Sequence, residues 1–521
     1  MTPATLTDSA TAPPSAPYDR LLEAVREARL LESSASLLTW DQETMMPAAG
    51  VEHRARQVAQ LTRMAHTSFT DPAIGELLDA CDGEGLAGAD SADPRAVNLR
   101  EIRVAWERQT KLPASLVEEI ALTTTRSRHE WGAARRESDF ARFRPWLERI
   151  VALSRRRAEC LGWPEGGEPW DALADEYEPG ATAAEIAAIF DPLRARLSAL
   201  VADIAAARRR PSNRFNELRL DVNDQERAVR FVAEAIGFDF GRGRLDRSTH
   251  PFCLSTHCND VRLTTRFTEH CFNDALGSTM HEAGHGMYEQ GLDPRFIGLP
   301  MGSATSLGIH ESQSRMWENQ VGRSRAFWTW LRPNLPRHFQ GAQRAAVEAF
   351  SLEELYEAAN IVEPGFIRVE ADEATYNLHV MIRFELERAM MAGDLAVADV
   401  PGEWNRRYRD HLGLEVPDDR RGCLQDIHWS LGSIGYFPTY TLGNLLCAQL
   451  FEAAQRAIPG LDGQFAEGRF DDLRRWLNEH VHAHGMRYRS GELCRVVTGA
   501  ALSAEPLMRH LEGKLRPLYG I

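Results

Sequence analysis

The segment Thr279-Met280-His281-Glu282-Ala283-Gly284-His285 restricts the fold more than any other stretch of this 521-residue chain. On a helix, residues four apart share a face and lie about 6 Å apart along the axis, so His281 and His285 can grip one metal ion while Glu282 stands beside it. Phe272, Leu276, Met280, Ala283 and Met287 form an apolar stripe that predicts the helix, with both histidines off the stripe and Gly291 as its stop. A hydrolytic metal site needs a third protein ligand and one open position, so the fold has to bring another side chain onto this helix.

The spacing that would place a third histidine on the same segment is absent, because Tyr288 and Gly291 stand where Gly and His are required. Glu289 shares the face of His285 but sits roughly 12 Å along the axis from His281, too far for one shared ion. A carboxylate from a second helix is easier to bring in. Glu311, in Ile309-His310-Glu311-Ser312-Gln313, follows His285 across a Gly-rich connection and is the expected third ligand, with His310 its nearest rival. Two imidazoles and one carboxylate around Zn²⁺ leave a net positive charge and an open position, the chemistry of metal-assisted acyl-bond hydrolysis. A second cluster, Cys253, His257, Cys258, His270 and Cys271, fits no common zinc spacing and reads as buried thiols and ordinary histidines.

Around this motif the chain reads as mainly α. Amphipathic periodicity runs from Tyr18 to about Ala207 and again from Glu269 to Leu515. Between them, Glu217–Val222 and Asp260–Thr264 alternate polar and apolar residues and are expected as strands of one small sheet. Residues 1–17 are rich in Thr, Ala, Ser and Pro and are expected as a disordered arm, with 18–521 as a single helical domain. Sixty basic against 75 acidic residues give a net charge of −15, which disfavours nucleic acid and anionic lipid as partners. No apolar run reaches membrane-spanning length, and eight irregularly spaced cysteines fit a reducing cytoplasm better than a disulfide framework.

Several ordered motifs resemble the carboxypeptidase Taq family of metallocarboxypeptidases over nearly the whole chain. They are Trp40-Asp41-Gln42-Glu43-Thr44, His250-Pro251-Phe252, Asp260-Val261-Arg262-Leu263-Thr264, the His-Glu-x-x-His segment, His310-Glu311-Ser312-Gln313, Ile367-Arg368-Val369-Glu370-Ala371-Asp372, and Gly422-Cys423-Leu424-Gln425-Asp426-Ile427-His428-Trp429. The resemblance implies a two-lobed, neurolysin-like helical body around a long substrate groove, with a small sheet near the site. It also implies His281, His285 and Glu311 as ligands of Zn²⁺ or Co²⁺, Glu282 as general base, and a homodimer releasing single C-terminal residues from peptides with broad tolerance.

An exopeptidase of that kind must hold a free α-carboxylate, for which a guanidinium fork is suited, and Arg262 and Arg368 are the candidates. Arg368 is expected to close the groove's end and Arg262 to give substrate or active-site support. An oxyanion donor is sought among His250, His428, Tyr436 and Tyr440. Glu370, Asp372 and Asp426 are expected to orient the histidines or the arginines. Two other readings are an oligoendopeptidase, which would ignore the terminal carboxylate, and a silent metal-bound peptide-binding protein, against which the intact Glu282 argues.

Overall fold

The computed structural model describes residues 16–83 and 92–521. Most of the expected N-terminal arm, residues 1–15, lies outside them, and the first helix, Pro17–Thr44, already contains Pro17 as its opening residue. It pairs with Val51–Phe69 as a hairpin, and the helices Pro94–Thr110, Ala114–Glu137, Phe140–Leu161 and Ala183–Ala206 follow. Their starts are legible in local chemistry. Asp93 accepts from the Arg95 N–H ahead of Pro94, and Thr182 and Glu185 form a reciprocal capping box.

Two large apolar cores give the molecule two lobes. One joins Phe140–Ala207 to Val362–Leu445 and the C-terminal helix Glu505–Tyr519. The other joins Phe215–Ala359 to Leu446–Cys494. The helix Pro438–Ala457 belongs to both: Leu442, Leu445 and Ala448 face the first core, and Leu446, Cys447 and Leu450 the second. An apolar helix surface on all sides is what a strut buried between two cores requires. A smaller core, including Leu21, Val25, Leu78 and Leu99, holds the N-terminal hairpin.

The small sheet consists of β1 (Gly243–Arg247), β2 (Phe252–His257) and β3 (Asp260–Thr265), in the order β1-β3-β2. β3 runs parallel to β1 and antiparallel to β2. The expected strand at Asp260–Thr264 is thus observed, but Glu217–Val222 is not a strand. Asp221 accepts from the backbone N–H groups of Asn223 and Asp224 and starts the helix Val222–Ile236, while the Leu220 N–H donates to the Glu269 carbonyl. A strong helix cap outweighs a short alternation with no strand beside it.

The sheet backs the helix Phe272–Gly291, which carries His281, Glu282 and His285. Two glycines flanking His285 set how closely its neighbours approach. A Cβ on Gly286 would lie 2.8 Å from Leu263 of β3, and one on Gly284 would lie 2.6 Å from both the Gln313 carbonyl oxygen and the Ser314 Cα. The helix Leu307–Arg315 therefore packs backbone to backbone against the histidine helix. Gly291 ends that helix as expected, with a close approach behind it, since a Cβ there would lie 2.5 Å from the His482 Nδ1.

None of the eight cysteines is in a disulfide. Among the described residues no helix is long and apolar enough to cross a membrane. Gly284→Val should lower unfolding stability by about 1–3 kcal/mol through overpacking. Thermal melts should show the loss together with weaker metal uptake, because the displaced helix carries Glu311.

Candidate metal centre

Among the described residues, His281, His285 and Glu311 form the one cluster with metal-ligand geometry, their ligating atoms all within 4.8 Å of one another. Nε2 of His281 is 3.5 Å and Nε2 of His285 3.4 Å from the same oxygen, Glu311 Oε2. The other ring nitrogens are engaged: His281 Nδ1 lies 2.8 Å from Glu318 Oε2, and His285 Nδ1 lies 2.5 Å from His310 Nδ1. Both Nε2 atoms are thereby turned toward Glu311, and a cation between the three relieves the convergence of their lone pairs. The donor set suits a divalent ion of the zinc type.

Glu311 is oriented by its own helix turn. Its Oε1 accepts from Arg315 Nε at 2.8 Å, and Arg315 Nη1 reaches Glu318 Oε2 at 3.1 Å. Glu311, Arg315 and Glu318 occupy positions i, i+4 and i+7, one face continued into a π-helical turn at Met316–Val321. Behind Glu311, a Cβ on Gly443 would stand 2.7 Å from its Cβ and Cγ, so the central strut presses directly on this residue.

Burial dominates the electrostatics. It would raise the Glu311 carboxyl, yet His281 and Arg315 hold it far below the ordinary carboxylate range. Glu318 is likewise opposed by burial but brought down to about 2 by Arg315 and His281. Burial lowers His285 to about 3, with His310 adding to the effect, which keeps its ring neutral as a ligand must be. For His281, burial is outweighed by Glu311 and Glu318 and the pKa rises, so an ion bound there would have to displace a proton. Glu282 is buried, and desolvation pushes its carboxyl up to about 7, a range suited to proton exchange near neutrality.

His281, Glu282, Arg315 and Glu318 line a cavity of about 690 Å³ that runs past Glu370 and Tyr376. Tyr376 links the cluster to a second charged group. Arg315 lies over its ring at 4.4 Å, and its hydroxyl accepts from Arg368 Nη1 at 3.0 Å. Arg368 is buried, with Nε and Nη2 on Asp426 Oδ1, and the buried Arg383 takes Asp426 Oδ2 at 2.7 Å. Two guanidiniums thus share one carboxylate, and despite burial they hold Asp426 well below the usual range.

Tyr436 and Tyr440 pack edge to face at 5.4 Å, and Arg368 lies 5.0 Å from the Tyr440 ring. His428 packs at a tilt against Tyr436 and Phe437, and burial lowers it to about 4. This Gly-rich loop is fixed by Glu387, whose carboxylate accepts from Trp170, Trp429 and the Gly435 N–H, at 3.2, 2.9 and 2.9 Å. Gly435 has φ +91, and a Cβ there would stand 2.7 Å from the Ala174 nitrogen.

Other expected residues lie apart from the cluster. His250 is exposed in the loop between β1 and β2. Arg262 has its fork closed on Asp260 at 2.8 and 3.0 Å and stacks on Trp40 at 4.5 Å, with Arg244 also over that ring. This explains the Trp40 motif as a brace between the N-terminal helix and the sheet. Glu370 is exposed, and Asp372 caps its own turn through Ala374 and Thr375, so neither orients a histidine. That position belongs to Glu318, which stands at i+7 from Glu311 but is brought onto His281 Nδ1 only by the packing of the two helices. Glu289 and His310, weighed as ligands, instead pair with each other at 2.8 Å.

Fold and side chains together define a helical metallopeptidase of the His-Glu-x-x-His type. The family model described as the carboxypeptidase Taq (M32) metallopeptidase matches residues 20–515. The chain is 44% identical over 514 residues to thermostable carboxypeptidase 1 of Thermus thermophilus, covering 97% of this chain and 100% of the relative. It is 34% identical to carboxypeptidase 1 of Bacillus subtilis, covering 93% and 95%. The solved structure of the M32 carboxypeptidase from Deinococcus radiodurans R1 matches with a TM-score of 0.92 at 41% identity, covering 97% of this chain and 100% of that one. This chain belongs to the carboxypeptidase Taq (M32) family and is a metallocarboxypeptidase, a hydrolase of peptide bonds.

The depressed carboxylates dictate the acid response. Groups such as Glu318 and Asp426 contribute stability that is present above their unfolded pKa near 4 and is lost as pH falls toward the folded value. Thermal midpoints should therefore fall steeply below about pH 4, where the unfolded chain binds more protons. Asp426→Asn should lower the midpoint at pH 7 and flatten this slope by about one proton.

Proposed function

We propose that this metallocarboxypeptidase holds a divalent ion, Zn²⁺ or Co²⁺, on His281, His285 and Glu311 and removes single residues from peptide C-termini with broad side-chain tolerance. The convergence of three ligating atoms beside a buried Glu282 carries this reading. When bound, the ion supplies Lewis acidity that makes water more acidic and polarises the scissile carbonyl.

Glu282 takes a proton from the attacking water and returns it to the leaving amine. Its buried carboxyl, shifted toward neutrality, can do both within one cycle. Tyr436 and Tyr440, whose hydroxyls burial keeps protonated, with Glu311 acting in the same direction, are assigned as donors to the developing oxyanion. His428, a neutral ring packed against Tyr436, supports them.

The α-carboxylate is assigned to the positive corner around Arg368 and Arg383, one tyrosine ring from the Glu311–Arg315 pair. Its excess positive charge gives it the attraction that a closed guanidinium fork alone does not offer. Arg262 serves by bracing the sheet behind the histidine helix, and His250 meets substrate only at the exposed rim. The family resemblance extends the reading to a homodimer, and the cysteines, none of them in a disulfide, extend it to a reducing cytoplasm; light scattering of the purified chain should return twice the chain mass.

A peptide with a blocked N-terminus, offered as free acid and as amide, tests the reading by mass spectrometry. The free acid should lose single C-terminal residues in steps, with loss of activity in chelator and recovery with Zn²⁺ or Co²⁺, and the amide should stay intact. Internal cleavage of both peptides would make the enzyme an endopeptidase. Glu282→Gln should retain stoichiometric metal while kcat falls by about 10²–10⁴-fold. A metal-loaded variant with unchanged turnover would remove Glu282 from the base role.

A further inference from the structure

The two histidines of the metal helix are held by different partners. His281 presents Nδ1 to a carboxylate, Glu318, at 2.8 Å, the usual partner of a metal-bound imidazole. His285 presents Nδ1 to another imidazole, His310 Nδ1, at 2.5 Å, and His310 Nε2 continues to Glu289 Oε1 at 2.8 Å. Hydrogen-bond accounting then leaves one arrangement for a ligating His285. With Nε2 facing the ion, the proton sits on Nδ1 and is donated to His310 Nδ1, so the proton of His310 sits on Nε2 and is donated to the Glu289 carboxylate. A reversed His310 tautomer would set two N–H groups against each other.

The chain is built to stay in place. The ring of His310 packs against Tyr288 at 5.1 Å and against His285 at 4.6 Å. The Tyr288 hydroxyl is held by the Thr305 N–H at 3.2 Å, and its other neighbour, His482, is tied to Gln313 at 2.9 Å. Glu289, on the same helix as His285 and one turn further on, closes the chain at the wall of a separate cavity of about 410 Å³ beside β2. His310 directly precedes Glu311 on the same helix, so one helix supplies both the third proposed ligand and the partner of the second.

We propose that His310 and Glu289 are positioning residues that fix the orientation and ligating tautomer of His285, so that metal affinity depends on two side chains that do not touch the ion. The proposal rests on His285 being a ligand. Its test uses the full chain stripped by chelator and titrated with Co²⁺ or Zn²⁺ alone, with affinity read by equilibrium dialysis and the Co²⁺ site by its visible spectrum.

His310→Ala should weaken binding by about 10–100-fold and alter the Co²⁺ spectrum. His310→Asn should recover most of that affinity, because its amide oxygen can accept where Nδ1 did. Glu289→Ala should cost less than His310→Ala, and the double variant should bind no more weakly than His310→Ala alone, since the two act in series. Unchanged affinity and spectrum in His310→Ala would overturn the proposal, as would fully additive losses or failure of His310→Asn to recover binding. His285→Ala is the separate control: unchanged affinity there would sink the ligand assignment itself.

Discussion

The contact between the helices Phe272–Gly291 and Leu307–Arg315 at Gly284 is the constraint on which the rest of the site depends. With no side chain at 284, the backbone of Gln313 and Ser314 comes close enough for a Glu311 oxygen to reach both imidazoles. A Cβ at 284 would push the helices apart and carry Glu311 away from the histidines. Gly286 and Gly443 extend the same principle, letting the sheet support the histidine helix and the central strut press on Glu311. Position is therefore set by backbone packing, which is stiffer than any single side chain.

Once these elements are in place, the charges follow a consistent logic. Arg315 stands between Glu311 and Glu318, neutralising a buried pair of carboxylates that would otherwise repel. Such groups add little net stability, since desolvation offsets attraction, yet losing one partner leaves a buried charge uncompensated and typically costs about 3–5 kcal/mol. The return is orientation: one oxygen of Glu311 is held away by Arg315 while the other faces the histidines. Around Asp426 the balance differs, because two guanidiniums share one carboxylate and leave a positive corner beside Tyr376 and Tyr440.

The small sheet and the N-terminal hairpin are supports for this arrangement. Arg244 of β1 and Arg262 of β3 both lie over the Trp40 ring, locking the hairpin to the sheet face, and Val261 and Leu263 face the second core, where the histidine helix packs. Glu387 plays a comparable part on the other side, gathering two indoles and the Gly435 N–H, which fixes the loop carrying Tyr436 at the start of the helix that carries Tyr440.

The sequence alone determined the mainly α class, the histidine helix with its stripe and stop, and the strand at Asp260–Thr264, and it singled out Glu311, with His310 as rival, as the expected partner to the histidines. These depend on periodicity and short-range spacing, which the chain carries locally. The strand expected at Glu217–Val222 failed because a local cap at Asp221 outweighed alternation, and a strand exists only if another strand lies beside it. Glu318, His310 with Glu289, Arg383 and Glu387 were decided only by tertiary structure. A hydrogen-bond partner for an imidazole, or a second guanidinium on a shared carboxylate, is chosen by how elements far apart in the chain pack, and no spacing along one helix specifies that geometry.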